Sequence, residues 1–486
     1  MQSKLTMLIA IAAVCATTLW AGWGPEEQIT SSDNYGDISP LVVVGSNNYR
    51  HVVWNSRDHA NVHRYYQRWY PTSGWTSAYT IVSPAKYCAG NYALALDGNA
   101  TDIHFAWQGY DGGSIAQRAY YAKCVPGTKG TGTWGKTIRL TLDRRTSTVD
   151  VVSFNDRVAV AFALDYAGKP KGDTWQTNLE VGFKECIGKN WQATQYINPG
   201  FRAGGVSIAA DAQARGGCDV YYLYQYNGDA YVMRRLNGTF LQPAELAAIG
   251  VSQVTVEVDP GTGFPHIVCC RKPDGGPYRV YHTYRDPVDG WQQLAMVSEE
   301  NSVYSTSPRM CFNGDEICVV WDDSTAGVHG IKYAFGAYGS WTRGWVTSGW
   351  SGWADGTPDV AAAPDGGLYC VWADGRQYPP LIWGSPYTPD GDGGEARPTA
   401  FSQSSIELSP NPVKAGRVTV RYSLPRAEPM TVTLLDVSGR AVKTQQVAAT
   451  SARGTFGIDA GVLKPGVYVL KFNAGSDNLT RKLVIN

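Results

Sequence analysis

Nine side chains that suit recognition of a sugar or an extended peptide lie in segments expected to form loops. Aromatic ring faces stack on the C–H surfaces of such ligands, and charged groups bind their hydroxyls or carboxylates. The nine ligand-binding candidates are Tyr35, Arg57, Tyr87, Arg202, Tyr304, Asp322, Trp350, Trp353 and Arg376. The doublet Trp350–Trp353 is the sharpest case, because two Trp residues share one Gly-containing segment.

Catalysis has no clear signature in the sequence. The chain lacks a Gly-x-Ser-x-Gly elbow and an HExxH pair. Asp58 and Asp322 could flank a glycosidic bond, but no motif selects them, and Asp is also an ordinary turn former. The carboxylates near residue 392 lack the rest of an EF-hand loop, and no Cys/His cluster has zinc spacing. We therefore predict no metal and no cofactor.

A four-part phrase of short strands and turns repeats along the chain. In residues 307–348, turn segments separate the apolar runs PRMCF, ICVVW and GIKYAFGA, and GWVTS follows as a fourth run. Four short strands joined by tight turns make one antiparallel sheet of the size of a propeller blade. Seven phrases begin at Pro40, Tyr92, Val149, Val206, Val254, Pro308 and Pro358. They span 318 residues over six intervals, a mean of 53, and repeats of this length indicate propellers or solenoids.

Aromatic residues recur at fixed places in the phrase. Four of the second runs end at Trp54, Trp107, Trp321 and Trp372. Fourth runs begin with Trp75, Trp134, Trp191, Trp291 and Trp345. We interpret both sets as packing between blades rather than as ligand-binding groups.

The seventh phrase lacks a fourth run, whereas residues 23–30 (WGPEEQIT) resemble the fourth run GWQQLAMVS. Closure by the N-terminal strand explains both facts and protects strand edges. The sequence thus predicts an all-β protein with a seven-bladed β-propeller over residues 22–384, closed by its N-terminal strand. In such a ring the inter-blade loops and the second-to-third-strand loops share the face that carries the nine candidates. The alternative role for Trp350 or Trp353 is to cover the closing seam.

The blades resemble the sialidase-like (BNR-type) propeller superfamily through the HVVW…YY…GW cadence. That resemblance implies a site with three converging Arg residues, a Tyr–Glu nucleophile pair and an acid, none of which can be matched residue by residue. The Asp-box pattern S-x-D-x-G-x-T-W is also missing from the sequence. Two hypotheses follow: a binding module for glycans or extended polymers, or a secreted glycoside hydrolase or lyase on this scaffold.

The N-terminus indicates an exported protein. Residues 1–21 read as a signal peptide, with Lys4 before an apolar run that is too short for a stable membrane span. A membrane anchor is the alternative. Lys+Arg and Asp+Glu are both 42, so charge gives no reason to expect nucleic acid as a partner.

A polar linker, residues 385–404, leads to alternating strands over residues 405–486 that predict a small Ig-like β-sandwich. This ending resembles the C-terminal sorting domain of the type IX secretion system. The resemblance rests on Asn411-Pro412, YSLP at 422–425, TLLDVSGRAVK, GVY at 466–468 and the closing KLVIN. It implies export through the periplasm to the cell surface or medium, with the secretion machinery as partner. An ordinary Ig-like binding domain is the alternative.

Nine cysteines remain after removal of the signal peptide, so complete pairing within one chain is ruled out. Export permits disulfides, and either Cys311–Cys318 or Cys88–Cys124 could form one. Cys269 and Cys270 are neighbours in an apolar run, and successive side chains of a strand point to opposite faces. At least one of them should therefore lie in packed interior.

Overall fold

The computed structural model describes residues 22–388 and 405–485, each with internal gaps. The gaps in the first range are 32–35, 58–61, 82–90, 98, 111–116, 127–131, 142–145, 166–178, 198–204, 212, 218, 315, 326, 338–339, 348–355 and 377. Those in the second are 410–412, 414–416, 424–428, 437–438, 448–452, 460–462 and 475–476. The predicted signal peptide, 1–21, and most of the predicted linker lie outside the described residues.

The N-terminal part of the chain forms two short strands and three antiparallel sheets. The short strands are β1 (Gly22–Trp23) and β2 (Glu27–Gln28). Sheet 1 contains β3 (Gly36–Val44), β4 (Arg50–Arg57), β5 (Val62–Tyr70), β6 (Gly74–Trp75) and β7 (Tyr79–Thr80). Sheet 2 contains β8 (Tyr92–Leu96), β9 (Ile103–Tyr110), β10 (Gln117–Val125), β11 (Thr133–Trp134) and β12 (Ile138–Arg139). Sheet 3 contains β13 (Thr146–Phe154), β14 (Arg157–Asp165), β15 (Leu179–Ile187), β16 (Asn190–Trp191) and β17 (Gln195–Tyr196).

Four more sheets of the same strand order follow. Sheet 4 contains β18 (Val206–Ala210), β19 (Val220–Tyr226), β20 (Asp229–Leu236) and β21 (Thr239–Ala248). Sheet 5 contains β22 (Val251–Val258), β23 (Pro265–Arg271), β24 (Arg279–Asp286), β25 (Gly290–Trp291) and β26 (Ala295–Met296), with a 3-10 turn at Pro273–Gly275. Sheet 6 contains β27 (Ser302–Asn313), β28 (Glu316–Thr325), β29 (Val328–Ala337) and β30 (Ser340–Trp345). Sheet 7 contains β31 (Asp359–Ala362), β32 (Leu368–Asp374) and β33 (Leu381–Thr388), together with β1 and β2.

Local sequence explains the tight hairpins in these sheets. In sheet 4, Asn227-Gly228 joins β19 to β20, and both residues have positive φ, 52° and 84°. Asn-Gly favours this two-residue turn, because its backbone twist matches that of the flanking strands. Asn237-Gly238 repeats the same turn between β20 and β21, with φ values of 48° and 86°.

The first strands of the seven sheets lie against one another in chain order. Contacts run from β3 to β8, β13, β18, β22, β27 and β31, and β31 in turn lies against β3. The order of first strands is therefore circular. Buried apolar side chains fill the spaces between neighbouring sheets; one such cluster joins Trp54 and Val52 of sheet 1 to Tyr369 and Val371 of sheet 7.

The short N-terminal strands pair with β33 in the pattern that fourth strands use elsewhere. Trp23 lies opposite Tyr387 and Gln28 opposite Trp383, as Trp75 and Thr80 lie opposite Trp69 and Tyr65 in sheet 1. Thr30 Oγ1 accepts the Ile382 N–H at 3.0 Å. The same bond, at 3.0 Å to 3.1 Å, joins a hydroxyl two residues after the last edge strand to a third-strand N–H in sheets 2, 5 and 6. Since β33 extends to Thr388, four residues assigned to the linker belong to this sheet.

An aromatic residue at the outer edge of most sheets packs on the third strand of the preceding one. Ring centroids are 5.4 Å apart for Trp134–Tyr66, 4.9 Å for Trp191–Tyr121, 5.3 Å for Trp341–His282 and 5.8 Å for Trp23–Tyr333. Trp345 was wrongly predicted to begin a fourth strand, because it ends β30 and Trp341 takes the edge position. The indole fits there because Gly336 faces it: a Cβ on Gly336 would lie 2.9 Å from Trp341 Cε3.

Two further sheets form the C-terminal unit. Strands β34 (Ser405–Ser409), β35 (Arg417–Ser423) and β38 (Arg453–Asp459) make one, and β36 (Met430–Leu435), β37 (Ala441–Val447), β39 (Gly466–Ala474) and β40 (Asp477–Ile485) make the other. Val418 from the first sheet and Met430, Phe472 and Leu483 from the second share one buried core. The all-β prediction is thus confirmed. Among the described residues, no helical segment has the length and apolar character needed to cross a membrane.

Replacing Trp23 by Ala should lower the free energy of unfolding by about 2 kcal/mol, because a half-buried indole at the edge of sheet 7 loses its contacts. Trp191→Ala, at the corresponding edge of sheet 3, should cost a similar amount, while Tyr378→Ala, 95% exposed, should change stability by less than about 0.5 kcal/mol. Denaturant unfolding of the three variants measures this. If Trp23→Ala behaves like Tyr378→Ala, then β1 does not support sheet 7.

Candidate functional site

The structure describes only some of the nine predicted site residues. Five of them lie outside the described residues: Tyr35, Tyr87, Arg202, Trp350 and Trp353. Arg57 ends β4, and only its backbone is described. Tyr304, Asp322 and Arg376 are described with their side chains, so the geometry of the predicted face rests on these three and on their neighbours.

Tyr304 and Asp322 lie close together in sheet 6. The prediction that they lie in loops is wrong, because the paired strands β27 and β28 extend far enough to include them. The Tyr304 hydroxyl is 2.9 Å from His329 Nδ1. Burial raises the pKa of Tyr304 to about 12, and the carboxylates of Asp322 and Asp323 add to the shift. Asp322 is buried and lies against Gly356, where a Cβ would be 2.7 Å from Asp322 Oδ1. Tyr304 is therefore a neutral hydrogen-bonding group at physiological pH.

Asp323, which was not among the nine candidates, organises this region. Its side chain is fully buried, and Oδ2 accepts hydrogen bonds from Ser302 Oγ at 3.0 Å, Ser305 Oγ at 2.8 Å and Trp321 Nε1 at 2.7 Å. Lys332 Nζ lies 3.4 Å from Oδ1. A buried carboxylate with this many partners is a structural anchor. The sequence signal is the Trp-x-Asp spacing, which Trp372 and Asp374 repeat in sheet 7 at 3.3 Å.

Arg376 forms ion pairs with two carboxylates of the surrounding structure. Its Nε lies 2.8 Å from Asp374 Oδ2, and its Nη2 lies 2.5 Å from Glu26 Oε2. The guanidinium also lies 5.0 Å from the centre of the Trp383 ring. These contacts join the N-terminal segment to sheet 7, so Arg376 stabilises the junction between them.

A central cavity of about 580 Å³ is lined by the first strands of all seven sheets. Side chains from these strands bond to the first strand of the next sheet. Asp150 Oδ2 accepts the Ile208 N–H at 2.9 Å, Ser207 Oγ accepts the Val256 N–H at 3.2 Å, and Asp359 Oδ2 accepts the Val42 N–H at 2.8 Å. In sheet 4 the accepting residue, Ser207, comes directly before the donating residue, Ile208. Polar links around the cavity thus join sheet 3 to sheet 4, sheet 4 to sheet 5 and sheet 7 to sheet 1.

Three carboxyl groups and one guanidinium face this cavity. Glu257 lies deep in the molecule, and its side chain is half-buried. Burial, followed by the charges of Asp150 and Asp359, raises the pKa of Glu257 to about 8, and Arg309 opposes this shift. Burial raises the pKa of Asp359 to about 6, with Arg309 again opposing. Arg309 Nη1 donates to Thr255 Oγ1 at 2.9 Å, and its Nε is 4.0 Å from Asp359.

This cluster can hold a proton on Glu257 at neutral pH while Asp359 is largely ionised. Two carboxyl groups with separated pKa values are the components of acid–base chemistry. Sequence reasoning missed them because each occupies an ordinary polar position in an alternating strand; only the circular order of sheets brings them together. Among the described residues, no group of three or more His, Cys, Asp or Glu side chains is arranged to hold a metal ion.

One further motif has a structural context that excludes its usual role. Residues 130–137 (GTGTWGKT) fit the phosphate-binding pattern G-x-x-x-x-G-K-T. That motif requires a loop followed by a helix. Here Thr133–Trp134 pair with β10, and Ile138–Arg139 form another strand. The match is therefore accidental.

The Glu257 carboxyl should make stability depend on pH. Its pKa is near 4.5 in an unfolded chain and about 8 in the fold, so between these values the native state holds the extra proton and stability falls as pH rises. Glu257→Gln should remove this penalty and raise stability at pH 8 by about 1–3 kcal/mol, since solvent in the cavity screens the charges.

Thermal melts of wild type and variant from pH 5 to pH 9 measure the effect, and their difference should vanish near pH 5. The matched control is Glu300→Gln at an exposed position, which should leave the pH profile unchanged. A difference between Glu257→Gln and wild type that is the same at every pH would contradict the assignment.

Solved structures similar to this chain are distant from it. The polysaccharide lyase Uly1 is 11% identical with a TM-score of 0.45, covering 76% of this chain and 100% of that one. A protein of unknown function from Dyadobacter fermentans is 10% identical with a TM-score of 0.43, covering 74% and 97%. The Hadza microbial sialidase Hz136 is 13% identical with a TM-score of 0.39, covering 60% and 63%. Likeness at this level does not extend to a shared activity.

No curated protein sequence matches this chain. A family model does match its end, over residues 407–486, and that family is the secretion system C-terminal sorting domain. The match covers both sheets of the C-terminal unit, from Glu407 in β34 to the end of β40. The resemblance predicted from the sequence is thereby confirmed, and the C-terminal segment of this chain belongs to the secretion system sorting domains that direct proteins to the cell surface or the medium.

Proposed function

We propose that this protein is an exported, seven-bladed β-propeller that binds a glycan or another extended polymer through the loops of one face. The sorting domain at residues 407–486 carries the export half of the proposal. The circular order of first strands and the pairing of β1 and β2 with β33 support a closed seven-bladed ring. In this assignment residues 1–21 are the signal peptide, 22–388 the propeller, 389–404 the linker and 405–486 the sorting unit.

The export route proposed has two steps. The signal peptide directs the chain to the periplasm, and the sorting unit then engages the type IX secretion machinery. The sorting unit has its own buried core, formed around Phe472 and Leu470. A self-contained core suits a module that is recognised separately from its cargo.

Binding is favoured over catalysis on the loop face, because three of the described polar groups there are already used by the scaffold. Asp323 and Asp374 hold Trp indoles and neighbouring cations, and Arg376 joins two carboxylates. A catalytic acid or base needs a lone pair or proton free for the substrate. The aromatic candidates of the inter-blade segments remain for stacking on sugar rings: Tyr35, Tyr87, Trp350 and Trp353.

A glycoside hydrolase or lyase is the second candidate, and the observation that favours it is the cavity pair Glu257 and Asp359. A protonated carboxyl near an ionised one can serve as acid and base toward a glycosidic bond. This chemistry would lie in the central cavity rather than in the loops, so the two candidates call for different residues.

Deleting residues 405–486 should leave a folded propeller in the periplasm, because the truncated chain keeps its signal peptide and lacks the sorting unit. Cell fractionation with immunodetection locates the product, and circular dichroism of the periplasmic material checks its fold. Replacing the linker, 389–404, by a Gly/Ser segment of equal length is the matched control and should leave export normal. Surface delivery of the truncated protein would refute the role of the sorting unit.

The double variant Trp350→Ala/Trp353→Ala should bind a glycan identified on an array about 1–3 kcal/mol more weakly than wild type, a range typical of aromatic anchors. Titration calorimetry measures the affinity and thermal melts the stability. Trp341→Ala, at the outer edge of sheet 6, is the control and should lower stability without changing affinity.

Unchanged affinity with a lowered melting temperature would show that Trp350 and Trp353 cover a seam. Release of reducing sugar ends from the bound glycan, abolished by Glu257→Gln and retained by the double Trp variant, would instead establish the hydrolase candidate.

A further inference from the structure

Three thiols meet where sheet 6 packs on sheet 7. Cys318 of β28 and Cys370 of β32 are fully buried, and Cys311 of β27 packs against the same cluster while keeping partial exposure. All seven cysteines in the described part of the chain are free thiols in the structure. They include Cys269 and Cys270, both fully buried, so the prediction that at least one of that pair lies in packed interior is confirmed.

Cys311 and Cys318 are direct partners in the antiparallel ladder between β27 and β28. Residues directly opposite in such a ladder have Cα atoms about 4.5–5.5 Å apart, with both side chains on the same face. A disulfide requires a Cα separation of about 4.4–6.8 Å. The register therefore places the two Cα atoms within the separation that a disulfide requires.

The surroundings of the Cys311 thiol agree with this pairing. A hydrogen bond to the Cys318 side chain is the first cause that raises the pKa of Cys311 well above its ordinary value, followed by burial. A thiol with a raised pKa reacts slowly, because only the thiolate attacks a disulfide. Oxidation is thus expected while the β27–β28 hairpin forms, before sheet 7 covers it.

We propose that Cys311 and Cys318 form a disulfide bond that links β27 to β28 in the exported protein. This inference rests on the export half of the proposed function, since disulfides persist in oxidising compartments. The oxidant is a disulfide-bearing thiol carrier. The Cys311 thiolate attacks the carrier disulfide and releases one carrier thiol; the Cys318 thiolate then attacks the mixed disulfide and releases the second. The protein loses two electrons and two protons, and the carrier gains them.

Cys370 is the internal control in this arrangement. It belongs to a different sheet and faces the pair across the interface between sheets 6 and 7. Its register partner on β33 is Ser385, which offers no sulfur. Cys370 should therefore stay a thiol when Cys311 and Cys318 are joined, and a Cys311–Cys370 link would mean that the ladder register does not decide the pairing.

The test is peptide mapping of the full-length protein collected from the medium or cell surface. The sample is alkylated under denaturing, non-reducing conditions and cut with trypsin and with a protease that cleaves after Glu316, which separates the two cysteines. We expect one linked pair of peptides containing Cys311 and Cys318, lighter by two hydrogen atoms than the separate thiol peptides, and a fully alkylated Cys370. Alkylation of both Cys311 and Cys318 in exported protein would overturn the proposal.

Two further measurements separate this inference from export itself. Purified full-length protein, unfolded, reduced and refolded in a glutathione redox buffer, should form the same link; its absence there overturns the disulfide even if fractionation shows normal export. A link in refolded protein, combined with retention of the chain inside the cell, would instead contradict export. In Cys318→Ser, Cys311 should become alkylated, while Cys269→Ser should leave the Cys311–Cys318 link intact.

Discussion

The third strand of sheet 7 would have an unpaired edge if the chain's beginning did not cover it. Unpaired N–H and C=O groups destabilise a protein when they are buried. When they are exposed at a strand edge, they can pair with a strand of another chain. Residues 22–30 satisfy this edge, and polar contacts reinforce the junction: Arg50 holds Glu27 at 2.8 Å, and Asn48 donates to Asp365 at 2.8 Å. Sheets 1 and 7, which are built from opposite ends of this part of the chain, are thereby held together.

The circular order of sheets, which the pairing of β1 and β2 with β33 completes, also determines which side chains face the central cavity. First strands of neighbouring sheets do not form a common ladder, so side chains satisfy some of their N–H groups. Asp150 and Asp359 perform this role on opposite sides of Glu257 in chain order. Burial is the main cause of the raised pKa of Glu257, and the carboxylates that link the sheets add to it. The links between sheets thus contribute to a cavity carboxyl, Glu257, that holds its proton at neutral pH.

Much of the fold could be predicted from the sequence, because the strand period, the turn residues and the recurring Trp positions are local signals. Trp345 was misplaced because Trp341 and Trp345 both stand near Gly in the sequence. Each indole also lies over a glycine of β29, Gly336 and Gly330 respectively, so the local sequence does not decide between them. The cavity carboxylates could not be predicted, since their proximity depends on the circular order of seven sheets. The sorting unit was predictable because its motifs are specific, whereas the loop candidates were inferred from position alone.

Hydrogen exchange at the Gly24 and Ile29 amides of the secreted protein tests the closure most directly. Gly24 donates to the Pro386 carbonyl at 2.7 Å and Ile29 to the Ile382 carbonyl at 2.8 Å. The Val297 amide makes the corresponding bond in sheet 5, also at 2.8 Å. A closed ring predicts that Gly24 and Ile29 exchange as slowly as Val297. Exchange of both at the rate of an unstructured chain, with Val297 still protected, would contradict closure by the N-terminal strands.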